Sequence, residues 1–424
     1  MAEGEHSLDL LTIEGGRPLK GDISISGSKN AALPILIATL LTDEPCGVKN
    51  VPSLDDIEAV IGLLVFLGKN VVRQRDRLDI TAGPTLYGEA PYELVRKMRA
   101  SVVVMGPLLA RLGKVKVSLP GGCAIGGRPV NIHLEGFKAL GASIQLEEGY
   151  VTAEANRLQG TSFTLDFASV GATENLMMAA SLARGTTLLI GAAKEPEITD
   201  LADFLNHMGA RITGAGTDTL TIEGVERLHG TEHEVIPDRI ETGTYMIAAA
   251  ITRGDLDLHP ARPEHLRELI AKLGQAGVSV DQDNGHLRVK GVKDLHPVDA
   301  ETAVHPGFPT DLQAPWMALM SLARGVSHIA ERVFENRFMH VPELQRMGAR
   351  IQVKGPHAAV EGVDSLSGAE VMVSDLRAGA ALVLAGLAAE GKTVIHRVYH
   401  LDRGYEHLER KLSAVGARIR RSQE

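Results

Sequence analysis

Two hydrophobic patterns alternate along the chain. The first is a run of small apolar residues followed by a short turn and a β-branched segment. It occurs as AALPILIATLLTDEP from residue 31, ASVVVMGPLLARLGKVKV from 100 and NLMMAASLARGTTLLI from 175. It recurs as GTYMIAAAITRGDLDL from 243, QAPWMALMSLARGVSHI from 313 and AGAALVLAGLAAEGKTVI from 378. The second is a leucine-bearing helical stretch, a glycine and a strand, seen in FLGKNV, ALGASI, HMGARI, QAGVSV, RMGARI and AVGARI. Both recur about every 70 residues, which marks internal repetition. Six such units fill the 424 residues.

Each unit therefore predicts two helices and several strands. The first helix type is apolar nearly all round, as a helix enclosed by sheet must be. Segments such as TSFTLDF from 161 and TLTIEG from 219 alternate, so one face of those strands meets solvent. The expected class is α/β, with buried helices inside and sheets outside. Six units most simply make two domains of three. An open solenoid fits less well, because the units are long and no terminal unit reads as a polar cap.

Composition narrows the function classes. The chain is 44% hydrophobic and 23% charged, with only 4% aromatic residues, so its cores must be aliphatic and alanine-rich. A formal net charge of −9 offers no broad basic field, which argues against general nucleic-acid binding. The longest apolar runs are too short for a membrane span. Two cysteines, Cys46 and Cys123, make no disulfide framework and fit a reducing, cytoplasmic setting. The 16 histidines show no metal-ligand spacing, and His133 reads as structural.

The residues that open the apolar helices carry the first chemistry. They are Lys29-Asn30, Arg99, Thr173-Glu174, Arg239 to Glu241, Asp311 and Arg377. Ser374 with Arg377, and Thr310 with Gln313, stand at capping spacing. Pro34 is expected in a first turn, so its helix should begin near Asn30. Lys29 would then sit where free backbone N–H groups already favour an anion. If the repeats are pseudo-symmetric, Lys29, Arg99, Arg239, Arg377 and Asp311 should gather. The segment LPGGCAIGGRPVN from 119 adds a cysteine among four glycines, with Arg128 five residues on.

Several stretches together resemble the UDP-N-acetylglucosamine enolpyruvyl transferases. They are ISGSKNAALPIL from 25, MRASVVVMGPLLAR from 98, LPGGCAIGGRPV from 119, SVGATEN from 169 and PDRIETGT from 237. FPTDLQA from 308, VFENRFMHVPEL from 333, SDLRA from 374 and DRGYE from 402 complete the set. The resemblance runs from about residue 8 to the C-terminus. It implies a two-domain inside-out α/β barrel, with one domain at 29–236 carrying the loop 119–130. The other comprises 1–28 plus 237–424, and the active site is expected in the cleft between them.

The implied reaction joins phosphoenolpyruvate to the sugar 3-hydroxyl and releases phosphate by addition and elimination. It needs a base, an acid that reaches carbon, and cations around phosphate and carboxylate. It requires no metal or organic cofactor, and the partners are the two small-molecule substrates. By the resemblance, Cys123 is the proton donor to C3, and Arg128 would raise its thiolate reactivity. Lys29, Arg128 and Arg403 match positions that hold the phosphate, with Asn30 beside Lys29. Arg337 and Arg377 match the carboxylate side. Asp311 is the candidate base or an orienter of the hydroxyl, and Asp375 is a further possible acid–base group. Arg99, Arg128, Pro129, Val130, Asn131, Ile132, Ser169, Val170, Gly171, Asp311 and Val333 would face the nucleotide sugar. Asn131 departs from the Asp often found at its position, and Phe167 from the Lys that some members carry.

Three other readings compete. The shikimate-pathway enolpyruvyl transferase shares the six-unit plan, but has Lys-Ser where this chain has Lys29-Asn30 and lacks a PGGC loop. A catalytically silent nucleotide-sugar-binding paralogue would not need every polar position filled. An RNA-modifying cyclase would need a basic track that is not here.

Overall fold

The computed structural model of the chain describes residues 9–95, 99–118 and 130–423, apart from the side chains of residues 99–101. The chain divides into two compact units. One holds the residues up to Ser26 and those from Pro237 onward, and the other runs from Gly27 to Ile236.

Each unit contains three four-stranded sheets of one topology. In the Cys46–Lys49 sheet, Glu232–Glu234 pairs parallel with Cys46–Lys49, which pairs antiparallel with Arg77–Ala82, which pairs antiparallel with the edge strand Lys69–Gln74. The same order repeats around Lys114–Ser118 and Thr186–Ile190. In the other unit it repeats around Asp255–His259, Val326–Ala330 and Lys392–His396. The last of these sheets includes the N-terminal strand Asp9–Glu14, paired to Lys392–His396 and to Arg418–Gln423. A chain whose first strand completes its last sheet is not a linear stack. Strands such as His286–Lys290 alternate exposed and buried positions, so each sheet turns one face outward.

The six apolar runs form the helices Lys29–Ala38, Met105–Leu112, Val170–Ala180, Arg239–Ile251, Gln313–Met320 and Leu376–Ala388. Most of their residues are buried on every side, and each unit has its own aliphatic core around three of them. Helices inside and sheets outside make each unit an inside-out α/β barrel. Close approach depends on small residues. A Cβ at Gly106 would lie 2.2 Å from the Asn175 carbonyl oxygen. The gap admits a different contact, in which the Gly106 N–H donates to Asn175 Oδ1 at 2.6 Å.

The second pattern has one backbone cause. Gly68, Gly141, Gly209, Gly277, Gly348 and Gly416 all have φ between +92° and +103°. Each follows an outer helix, where a left-handed residue ends the helix and turns the chain into its strand. A side chain there would be strained, so glycine recurs in all six units.

Helix starts divide in the same way in both units. Ser28 and Ser169 cap the first and third helices of the Gly27–Ile236 unit, and Asp238 and Asp375 do so in the other. The middle helices are entered through the 3₁₀ turns Arg99–Val104 and Thr310–Leu312, and each has proline third, Pro107 or Pro315. Two expectations about caps are corrected here. Asp375, not Ser374, is the cap, because its carboxylate reaches two free N–H groups. Thr310 caps nothing, because its hydroxyl is engaged by Glu331 and Arg337. Pro34 is also displaced: the helix starts at Lys29, so the proline lies in the second turn and leaves the Asn30 carbonyl without its helical donor.

Candidate functional site

In the Gly27–Ile236 unit, Ser28 Oγ accepts from the Ala31 N–H at 3.3 Å and opens the Lys29 helix. This places Lys29 at the positive end of the helix dipole. Its ammonium lies 3.1 Å from Asp56 Oδ2, with side chains 10% and 7% exposed. Asp56 was not expected from the sequence. It lies in the first turn of the outer helix Asp55–Phe66, where an acidic residue reads as ordinary helix chemistry. Asn30 is half-buried beside Lys29.

The helix Val170–Ala180 repeats this entry, with Ser169 Oγ accepting from the Ala172 N–H at 3.3 Å. Ser169, Val170 and Gly171 are half-buried at its start. A Cβ at Gly171 would touch His133 Cε1 at 3.5 Å. His133 lies in the helix Asn131–Ala139, and its Nδ1 stands 2.9 Å from Asn175 Nδ2. The Asn175 amide nitrogen is a donor, and its oxygen is taken by Gly106, so Nδ1 must be the acceptor and the imidazole neutral. Burial agrees, lowering the His133 pKa to about 4. Val130 and Ile132 are half-buried, and Asn131 and Phe167 are exposed. Deeper in the helix, burial pushes the Glu174 carboxyl well above the usual range, and the nearby Glu197 and Glu195 carboxyls add to the rise.

In the other unit an ion triad forms. Arg337 Nη2 donates to Asp311 Oδ1 at 2.6 Å and Arg377 Nη2 to Asp311 Oδ2 at 3.4 Å. Both guanidiniums are buried, and the carboxylate is half-exposed. The two pieces arrive differently. Asp311 comes from the 3₁₀ turn before Gln313–Met320, and Arg377 from the second position of Leu376–Ala388. Asp375 Oδ1 fixes that helix start by accepting the Arg377 and Ala378 N–H groups at 3.0 and 3.1 Å. Its other oxygen lies 3.2 Å from Ser374 Oγ. Arg377 also faces the Tyr405 ring at 5.5 Å, and Tyr405 meets Thr244 Oγ1 at 2.9 Å. Burial is the largest influence on Arg377 and would lower its pKa, but Asp311, Tyr405 and Asp238 together outweigh it and raise the pKa.

Arg403 ends the short helix Tyr399–Asp402 and is half-buried. Asp402 is gripped by Arg421, whose Nη1 lies 2.9 Å away. Val333 donates its N–H to Glu331 Oε1 at 2.8 Å. Sequence reasoning also passed over Glu331 and Tyr405, although Glu331 stands two residues before Val333, and it read Thr310 only as a helix cap.

The structure thus brings Asp311, Arg337 and Arg377 together in one unit. In the other it places Lys29, Ser169, Val170 and Gly171 at capped helix starts. Cys123, Arg128 and Pro129 lie outside the described residues, as does the side chain of Arg99. Cys46 is buried, and burial raises its thiol pKa. Among the described residues, no group of three His, Cys, Asp or Glu could hold a metal ion, and no helix is long and apolar enough to cross a membrane.

The model of the EPSP synthase (3-phosphoshikimate 1-carboxyvinyltransferase) family matches residues 13–412. A UDP-N-acetylglucosamine 1-carboxyvinyltransferase of Endomicrobium trichonymphae is 55% identical over 414 residues, 97% of this chain and 99% of the relative. One from Sorangium cellulosum is 56% identical over 412 residues, 97% and 98% of the two chains. The enolpyruvyl transferase NikO from Streptomyces tendae has a TM-score of 0.88 and 27% identity, covering 99% of this chain and all of that one. An EPSP synthase from Acinetobacter baumannii shares the fold, with a TM-score of 0.76 and 19% identity over 98% of this chain and all of that one. High identity over both full lengths falls on the nucleotide-sugar enzymes, not on the shikimate-pathway ones. The chain therefore belongs to the EPSP synthase family of transferases, in its UDP-N-acetylglucosamine 1-carboxyvinyltransferase branch.

Proposed function

We propose that the chain transfers the enolpyruvyl group of phosphoenolpyruvate to the 3-hydroxyl of UDP-N-acetylglucosamine and releases phosphate. The reaction would take place in the cytoplasm and commit the sugar to peptidoglycan, and so to cell shape, division and the cell cycle. The observation that carries this reading is identity of about 55% to proteins of that name over nearly the whole of both chains.

The acceptor hydroxyl loses its proton and attacks C2 while C3 gains a proton, giving a tetrahedral ketal. Loss of a C3 proton and of phosphate then restores the double bond. Asp311 is the group that takes or aligns the hydroxyl proton, held in place by two guanidiniums. Arg337 and Arg377 have further donors for the substrate carboxylate, since each fork has five N–H groups. Lys29, with Asn30, Arg128 and Arg403, would take the phosphate, and leaving Asp56 for it is an exchange of one anion for another. Arg99, Arg128 to Ile132, Ser169 to Gly171 and Val333 would face the nucleotide sugar. Asp375 is a weaker acid–base group in this scheme, because its Oδ1 is spent on the helix start.

Cys123 would protonate C3. It is also the expected site of attack on the epoxide fosfomycin, whose phosphonate resembles the substrate phosphate. Peptide mass mapping after treatment should find the adduct on Cys123 and none on Cys46, which is buried with a raised thiol pKa. An adduct on Cys46 alone would remove Cys123 from this role.

The test of the function is phosphorus and proton NMR of the two substrates mixed with the chain. Inorganic phosphate and new vinyl-ether protons should appear together, and only when both substrates are present. Binding of both without either signal would mean a silent nucleotide-sugar-binding protein.

A further inference from the structure

Glu331 is a buried carboxyl that the proposed reaction does not use, 4% exposed at the end of the strand Val326–Ala330. Burying a carboxylate is costly unless it is fully hydrogen-bonded. Its Oε1 accepts from Thr302 Oγ1 at 2.8 Å, from the Val333 N–H at 2.8 Å and from the Phe334 N–H at 3.0 Å. Its Oε2 accepts from Thr310 Oγ1 at 2.9 Å. All four donors are neutral, and three of them lie in the two segments that carry Asp311, Val333 and Arg337.

The hydrogen bonds continue outward without a break. Thr302 Oγ1 also accepts from the Arg332 N–H at 2.9 Å. Thr310 Oγ1 accepts from Arg337 Nη1 at 3.1 Å, Arg337 Nη2 holds Asp311, and Asp311 holds Arg377. The Arg337 guanidinium also lies 5.1 Å from the centre of the Phe334 ring. One carboxylate thus fixes the backbone at Val333 and Phe334, and through one hydroxyl it sets the side chain that grips Asp311.

We propose that Glu331 is a positioning residue for this site: it sets Asp311 and Arg337 through Thr310, and Val333 and Phe334 through their amides. The proposal rests on the transferase reading above. Its chemistry makes a specific demand. Thr310 Oγ1 already receives a proton from Arg337, so its own proton needs an acceptor. A glutamate supplies one and the –NH₂ of glutamine does not, while the glutamine oxygen can still serve the three donors on the other side. Glu331→Gln therefore disturbs the Thr310–Arg337–Asp311 branch and spares the backbone branch.

The test measures kcat, the KM of each substrate and the melting temperature for Glu331→Gln, Thr310→Val and the double variant. Both single variants should melt within a few degrees of the parent. Each should lose about 10- to 100-fold in kcat/KM, the scale of one charge-assisted hydrogen bond, through both a lower kcat and a higher KM for phosphoenolpyruvate. The double variant should be no worse than the poorer single one, because both break the same link. Kinetic constants within about threefold of the parent, with only a fall in melting temperature, would make Glu331 a fold residue and overturn the proposal. Losses that multiply in the double variant would also overturn it. If the parent itself does not turn over, the transferase reading fails, and calorimetry decides the proposal separately. Unchanged affinity of the variants for UDP-N-acetylglucosamine and phosphoenolpyruvate would then overturn it.

Discussion

The two three-sheet units share one plan, but they furnish the starts of their buried helices with opposite chemistry. In the Gly27–Ile236 unit the caps are Ser28 and Ser169, which satisfy N–H groups without adding charge. In the other unit they are Asp238 and Asp375, which satisfy two N–H groups each and add a negative charge. Serine caps leave the positive end of the dipole uncompensated, so those helix starts favour an outside anion. Aspartate caps neutralise it, and the unit carries arginines locked to Asp311 instead. The first arrangement suits groups that must accept and release phosphate. The second suits groups that must hold a carboxylate and a hydroxyl in fixed geometry. Equivalent positions in a repeat fold are equivalent in backbone, not in electrostatics.

The largest expected effect breaks the first arrangement. Lys29→Met takes the ammonium away from the buried Asp56 carboxylate. Loss of one partner from a buried pair costs about 3–5 kcal/mol, so denaturant unfolding should show a markedly lower midpoint. Adding Asp56→Leu should recover most of that stability but not turnover. Recovery of both would mean that the lysine is structural only.

The second arrangement breaks more quietly. Asp311→Asn keeps the shape and should retain most substrate binding while turnover falls by about 10²-fold. Steady-state kinetics with both substrates varied reads this directly. Near-normal turnover would remove Asp311 from the proton transfer and pass the role to Asp375.

A third expectation tests each unit through a buried histidine. Burial lowers His133 in one unit and His340 in the other to about 4. The unfolded chain then binds more protons than the native one between about pH 6.5 and 4. Stability is present above pH 6.5 and falls with acidification, by about 1.4 kcal/mol per pH unit for each histidine, and levels off below about pH 4. His133→Gln should flatten half of that slope. An unchanged slope would contradict the neutral, acceptor assignment of Nδ1.

The smallest effect sharpens the comparison of caps. Ser28→Asp should leave stability within about 0.5 kcal/mol, since the two residues cap about equally well. It should raise the KM for phosphoenolpyruvate by about tenfold, because a charge now competes with the phosphate. Asp375→Ser in the other unit should leave that KM within about twofold. Equal responses in the two units would mean that the cap chemistry carries no functional distinction.

The periodic features of the fold were legible in the sequence because they are written locally. All six apolar helices and the six glycines at positive φ could be found from spacing alone. Cap identity was less legible: Ser374 and Asp375 are adjacent, and only the backbone decides which side chain faces the free N–H groups. The helix-start charges were legible because equivalent positions repeat. Asp56 and Glu331 were not, because their partners lie 27, 29 and 21 residues away in sequence, at Lys29, Thr302 and Thr310. No local pattern separates such a carboxylate from an exposed one. The same holds for Tyr405, whose place under Arg377 depends on tertiary packing.

The most direct test of the central claim is a competition for acceptor. Phosphate release from phosphoenolpyruvate is measured with UDP-N-acetylglucosamine or shikimate 3-phosphate as the sole acceptor, and with both together. The account predicts turnover with the nucleotide sugar, none above background with shikimate 3-phosphate, and an unchanged rate when both are present. Turnover with shikimate 3-phosphate and none with the nucleotide sugar would contradict it.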